Sequence, residues 1–140
     1  MVPTNIDVNE VTVLVAAIVN IALGFAWYSK SLFGKAWMKE LGLTEASLQA
    51  NKKKMNTTYA LMTLASLIMA YVLGHFVILF GTETFMEGLQ AGFWIWLGFI
   101  ATTALNGVLW EKKSWNYYGI TAGYYLVSLC LMGVILTLWQ

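Results

Sequence analysis

Charge is what this sequence lacks most. Charged residues are 11% of its 140, less than half the ~25% usual in soluble domains, so the chain cannot solvate the surface of a soluble fold. Four windows, 11–29, 55–82, 88–110 and 114–140, contain no Asp, Glu, Lys or Arg at all. Intramembrane charges mark most proton relays and coupled transport sites, so their absence argues against a proton-driven antiporter. Cys130 is the sole cysteine, which excludes an internal disulfide and a thiolate metal cluster. Its apolar setting, L-V-S-L-C-L-M-G, suits an inert packed thiol. No Pro/Gly/Ser-rich linker divides the chain, and 1–140 reads as a single transmembrane domain. A Walker loop, zinc motif, nucleophile elbow and dinucleotide fingerprint are all missing. We therefore expect no enzyme, no catalytic or metal-binding residue, no cofactor and no nucleic-acid partner. The N-terminus has Asp7 and Glu10 where a signal peptide would carry a basic n-region, so no cleavable leader is expected, and no lipidation motif appears.

What is present is hydrophobic length. At ~1.5 Å rise per residue, each charge-free window nearly matches or exceeds a ~30 Å hydrocarbon core. The expected fold class is all-α: a polytopic membrane protein with four transmembrane helices at about 11–29, 56–80, 88–110 and 117–139. Every cation is a lysine, at positions 30, 35, 39, 52–54, 112 and 113. With four spans these fall in the first and third connections, on one side of the membrane. The positive-inside bias makes that side cytoplasmic. Both termini, with Asp7, Glu10, Glu83 and Glu87, are then outside, in a bacterial cytoplasmic (inner) membrane.

The first connection, 31–54, has structure of its own. Phe33, Trp37 and Leu41, with Leu32 and Ala36 beside them, oppose Lys35 and Lys39, which predicts a short cytoplasmic amphipathic helix over Leu32 to Leu41. Phe33 and Trp37 would enter the headgroup layer while the lysines meet anionic lipid. Gly42 would end this helix, and Thr44 would cap another running through Lys52 into the second span.

Depth counting singles out neutral polar residues. Asn20, Ser66, Thr103 (or Thr102) and Ser128 all fall roughly 12 to 16 Å from the cytoplasmic helix ends. A shared layer could be a constriction or ligand shelf, or interhelical hydrogen bonding that fixes register at ~0.6 kcal/mol per contact. His75, the sole histidine, falls near the outer interface and could pair with Glu83 or Glu87, or serve only as a local hydrogen-bonding group. Small residues recur at helical spacing in every span: Ala16, Asn20 and Gly24; Ser66, Ala70 and Gly74; Gly88 and Gly92; Gly119 and Gly123. Such faces let helices approach closely, within a bundle or between subunits. The first and third spans also end alike, with Gly, Trp and Lys at three-residue intervals: Gly24, Trp27, Lys30 and Gly107, Trp110, Lys113. This fits either a duplicated hairpin or convergence on an interfacial pattern.

G-F-A-W-Y-S-K-S-L-F-G-K-A-W-M-K-E, W-L-G-F-I-A-T and K-S-W-N-Y-Y-G-I-T-A-G-Y-Y resemble the small bacterial four-helix membrane proteins known only as a domain of unknown function. The resemblance covers nearly the whole chain. It implies four spans and brings no activity; its signature positions here are Gly24, Trp27, Tyr28, Phe33, Gly34 and Trp37. The expected role is a non-enzymatic bundle that forms a homo-oligomer. One alternative is a small-solute channel or uniporter with the neutral layer as constriction. Another is an accessory subunit that docks on a membrane-protein partner through Trp27 to Trp37.

Overall fold

A computed structural model describes residues 5–140. Met1–Thr4, the start of the expected single domain, lie outside the described residues. The elements are α1 (Glu10–Trp27), α2 (Gly34–Leu41), α3 (Glu45–Ala50), α4 (Lys52–Leu79), α5 (Phe85–Ile95), a π-helical segment (Trp96–Ala101), α6 (Thr102–Leu109) and α7 (Trp115–Leu138). Among the described residues there is no strand. Four helices are long and apolar enough to cross a membrane: α1, α4, the continuous Phe85–Leu109, and α7. This is the expected class, a multi-pass helical membrane protein. α4 and the third span begin three residues ahead of their apolar windows, at Lys52 and Phe85; at Lys52, lysine stems can extend a helix into the headgroups.

Polar caps start α1, α5 and α7. The Asn9 Oδ1 accepts from the amides of Val11 and Thr12 at 3.0 and 3.2 Å, Thr84 and Glu87 form a capping box, and Ser114 accepts from the Tyr117 amide. Each supplies an acceptor to amides that have no helical carbonyl below them. Two positive-φ glycines, Gly42 (φ 67°) and Gly81 (φ 65°), turn the chain where helices end. Lys112 takes a similar φ of 59° in the tight turn before α7.

α7 is the centre of the bundle. It packs on α1, α4 and the whole third span, whereas α1 and the third span share no packed seam. The core is correspondingly off-centre, with Met132 and Leu136 fully buried against Ala16, Ala70 and Val77. At one end of the bundle, the acidic end with Asp7, Glu10, Glu83 and Glu87 and no lysine, the Thr12 hydroxyl donates to the Trp139 carbonyl and the Thr82 and Thr137 hydroxyls meet at 2.8 Å. The lysines occupy the opposite end.

The expected amphipathic helix is present as α2, entered from Phe33 and closed by Gly42. The Phe33 ring lies 4.6 Å from that of Trp27, and Trp37 meets Tyr28 edge-on at 5.2 Å, so both rings touch the bundle while Phe33 stays 39% exposed. Thr44 does cap the next helix through a capping box with Ser47. That helix is not continuous with the second span, however. Asn51 interrupts it with φ −102°, its side-chain amide donating to the Ser47 carbonyl at 3.1 Å. A local side-chain bond of this kind competes with helix continuation.

Candidate functional site

Asn20 is buried on α1 (4% exposed), where α1 crosses both α4 and α7. Its Nδ2 donates to Ser66 Oγ at 2.9 Å. Its Oδ1 accepts from Ser128 Oγ at 2.5 Å and from the Tyr124 hydroxyl at 2.8 Å, and that hydroxyl also lies 3.1 Å from the Asn20 carbonyl. Three helices thus meet at one carboxamide, and Ser128 is fully buried beneath it. Among the described residues no buried side-chain nitrogen or oxygen lacks a partner, as an apolar surrounding requires. Each polar side chain of the cluster has a partner within the bundle, an arrangement suited to fixing helix register.

Of the four residues assigned to one polar layer, the fold brings together Asn20, Ser66 and Ser128 and leaves Thr103 apart. Thr103 is exposed, and its hydroxyl donates to the Phe99 carbonyl of its own helix at 2.5 Å. Thr102 does the same to Gly98 at 2.7 Å. Threonines on the regular helices do the same, Thr58 to Lys54, Thr63 to Tyr59 and Thr121 to Tyr117, a bond that keeps the hydroxyl within its own helix. The Tyr118 hydroxyl likewise donates to the Ala101 carbonyl at 2.9 Å. Tyr124, the member that depth counting missed, precedes Ser128 by one helical turn, and that spacing was its one signal.

At the lysine end the six signature positions form an aromatic clasp. The Trp27 indole donates to the Ile120 carbonyl of α7 at 3.0 Å, its ring lying against Gly123, where an added Cβ would stand 3.4 Å away. Gly24 leaves room for Tyr124 in the same way, at 3.2 Å. Tyr28 lies 5.5 Å from Tyr124 by ring centroid. Gly34 is what lets the chain double back: a Cβ there would fall 2.2 Å from the Tyr28 carbonyl oxygen, and its amide instead donates to the Ser29 carbonyl at 2.9 Å. The Ser114 hydroxyl, donating to the Glu40 carboxylate, ties α2 to the start of α7.

A family model described as "Protein of unknown function (DUF1761)" matches residues 11–137. The chain belongs to that family. No curated protein matches it, and no solved structure does. The matched span of this DUF1761 chain takes in both the Asn20 cluster and the clasp.

Most of the small-residue faces are used inside the bundle. Gly88 and Gly92 bring the third span against α7 so closely that added Cβ atoms would come within 2.7 Å of the Gly133 carbonyl and 2.3 Å of the Leu129 carbonyl. Ala16 and Ala70 are fully buried, and Gly74 receives Val8. Gly98 and Gly119 differ in facing open space. His75 is placed on Tyr71: its Nδ1 lies 2.8 Å from the Tyr71 carbonyl and its ring 4.5 Å from the Tyr71 ring. Glu87 is occupied by the amides of Glu83 and Thr84, at 2.8 and 3.0 Å.

One opening interrupts the lysine-side half. A cleft of about 330 Å³ lies between α4 and the third span, lined by Met69, Ile100, Thr103, Ala104, Thr121 and Tyr125, with Ala122 also at its wall.

Proposed function

We propose that this chain is a non-enzymatic protomer of a homo-oligomer in the bacterial cytoplasmic membrane, its lysine end in the cytoplasm and both termini outside. The observation that carries the self-association is a stripe on the outward side of the third span. Gly98, Thr102 and Asn106 recur every four residues, all exposed, and nothing approaches Gly98 within 4 Å of an added Cβ. Asn106 sets a carboxamide only about 6 Å inside Trp110 along the helix. In hydrocarbon a small-residue stripe invites close helix approach, and a carboxamide that both donates and accepts can pair with its own symmetry mate. The orientation rests on the lysine asymmetry, which also gives the protein an affinity for anionic lipid on the cytoplasmic face.

The other readings have less support. Asn20, Ser66 and Ser128 use their polar groups on one another and on Tyr124, which favours architecture over a conduit. Trp27 and Trp37 are engaged with their own chain, which weakens docking on a foreign subunit through those rings.

Photobleaching-step counting of labelled protein in bilayers tests the proposal. The wild type is expected to show more than one subunit, with Gly98→Leu and Asn106→Leu each weakening association about tenfold, a ~1.4 kcal/mol effect within the range of membrane interhelical bonds. A wild type that remains monomeric at every protein-to-lipid ratio would sink it.

A further inference from the structure

The cleft between α4 and the third span is a different feature from the self-association stripe. α4 and α5 touch near the acidic end, while α4 and α6 share no packed seam toward the lysine end, so the two spans diverge and α7 floors the gap. On the α7 floor, Tyr117, Thr121 and Tyr125 recur every four residues, and in the turn just before α7 the Lys113 ammonium stands 5.2 Å from the Tyr117 ring centroid. On the α4 wall, Met69, Ala65, Met62, Thr58 and Lys54 follow one helix face, and all but Met69 are exposed. The cleft therefore has apolar walls, Met69 and Ile100 in its lining toward the midplane, and on the lysine side Lys54 of α4 and Lys113 of the turn before α7.

Its dimensions suit one occupant. From Tyr117 to Tyr125 the helical floor is about 12 Å long, with Lys113 just beyond its lysine-side end, and one leaflet of hydrocarbon is ~15 Å deep. We propose that the cleft holds an acyl chain of an anionic phospholipid from the lysine-side leaflet, with the phosphate between Lys113 and Lys54. Charge selects this occupant over a second copy of the chain. A parallel copy would bring lysines of its own to the same mouth, and like charges repel. A soluble anion has no use for the apolar walls, which open sideways into the bilayer. The proposal does not depend on self-association and survives if the protein is monomeric.

The test uses the full chain in phosphatidylcholine nanodiscs doped with a phosphatidylglycerol probe carrying a mid-chain diazirine, with adducts located by peptide mass spectrometry. Adducts are expected to concentrate on Met69, Ile100, Thr121 and Tyr125. Thr103→Trp, at an exposed cleft position, should lower them about tenfold, and Lys113→Gln with Lys54→Gln should lower the preference for phosphatidylglycerol over a matched phosphatidylcholine probe about fivefold. Because the lysine variants lie on the surface, they keep the test alive if Thr103→Trp fails to fold. Adducts spread evenly over Trp94, Leu97 and Phe99 would mean ordinary surrounding lipid and would overturn the proposal. Equal labelling by the two probes would overturn the phosphate contact. Disulfide capture between copies carrying Thr103→Cys would assign the cleft to a second protomer instead.

Discussion

The first and third spans reach the lysine end with the same spacing of glycine, tryptophan and lysine, yet their tryptophans meet different fates. Trp27 donates to Ile120 on α7 and stacks with Phe33, whereas Trp110 is 82% exposed. Both satisfy the preference of tryptophan for an interface. What separates them is the chain that follows. After Trp27 the sequence S-L-F-G-K-A-W allows a reversal at Gly34 that folds Phe33 and Trp37 back onto the bundle. After Trp110 only E-K-K-S intervenes before α7, and no segment is left to cover the ring. One helix deeper the contrast repeats. Asn20 and Thr103 each lie four residues before the matching glycine, but Asn20 binds two other helices while Thr103 binds its own. Ser66 and Ser128, from two other helices, converge on that one asparagine. An interfacial pattern thus marks where a span leaves the membrane, and the residues outside the pattern decide whether that end is locked.

The sharpest way to break this comparison is at the glycines. Gly34→Ala would force a Cβ against the Tyr28 and Ser29 carbonyl oxygens, at 2.2 and 2.6 Å. Because these are backbone atoms, the cost should reach or exceed the ~1–3 kcal/mol usual for overpacking. Gly107→Ala meets only the flexible Lys113 side chain, at 3.5 Å, and should gain ~0.5–1 kcal/mol from helix propensity. Unfolding by denaturing detergent in mixed micelles measures both; an equal loss from the two would mean that the third-span end is as tightly locked as the first. Next in size, Asn20→Ala removes three interhelical side-chain bonds at ~0.6 kcal/mol each and should cost about 2 kcal/mol. Thr103→Val, at an exposed position, should stay within ~0.5 kcal/mol.

Much of this fold was legible beforehand, for physical reasons that also mark the limits. Charge-free length indicates spans because hydrocarbon excludes charge, so α1 and α7 fall within two residues of the windows at their starts and ends. Gly42 and Thr44 work as expected because a left-handed residue and a side-chain cap are local devices. The break at Asn51 had no Pro or Gly to announce it. Counting depth placed Thr103 level with Asn20 but carried no azimuth, and the π turn at Trp96–Ala101 then changed the azimuth that regular periodicity would assign. Small-residue stripes foretold close approach without naming the partner, which for Gly88 and Gly92 is α7.

Smaller effects sharpen the comparison. Trp27→Phe loses the indole bond to Ile120 and should cost ~0.5–1.5 kcal/mol, while Trp110→Phe should be neutral in the same detergent titration. Smallest of all is the difference between the two terminal lysines. Lys30 pairs with Glu45 on α3 across exposed surface, and the hydrogen bond and then the charge from Lys30 hold the Glu45 carboxyl below the usual carboxylate range. Lys113 faces the Tyr117 ring instead. With its pKa lowered in the fold, Glu45 binds fewer protons folded than unfolded at mildly acid pH, so its contribution is complete above the unfolded pKa and disappears as pH falls through the lowered folded value. Lys30→Gln should therefore return the Glu45 carboxyl upward toward its ordinary value in a side-chain carbonyl NMR titration, and its slight destabilisation should fade in acid and in high salt. Lys113→Gln should leave the Glu45 titration where it was. A Glu45 pKa indifferent to Lys30→Gln would show that the clasp segment is held by its aromatic contacts alone, with the ion pair contributing nothing to the lock.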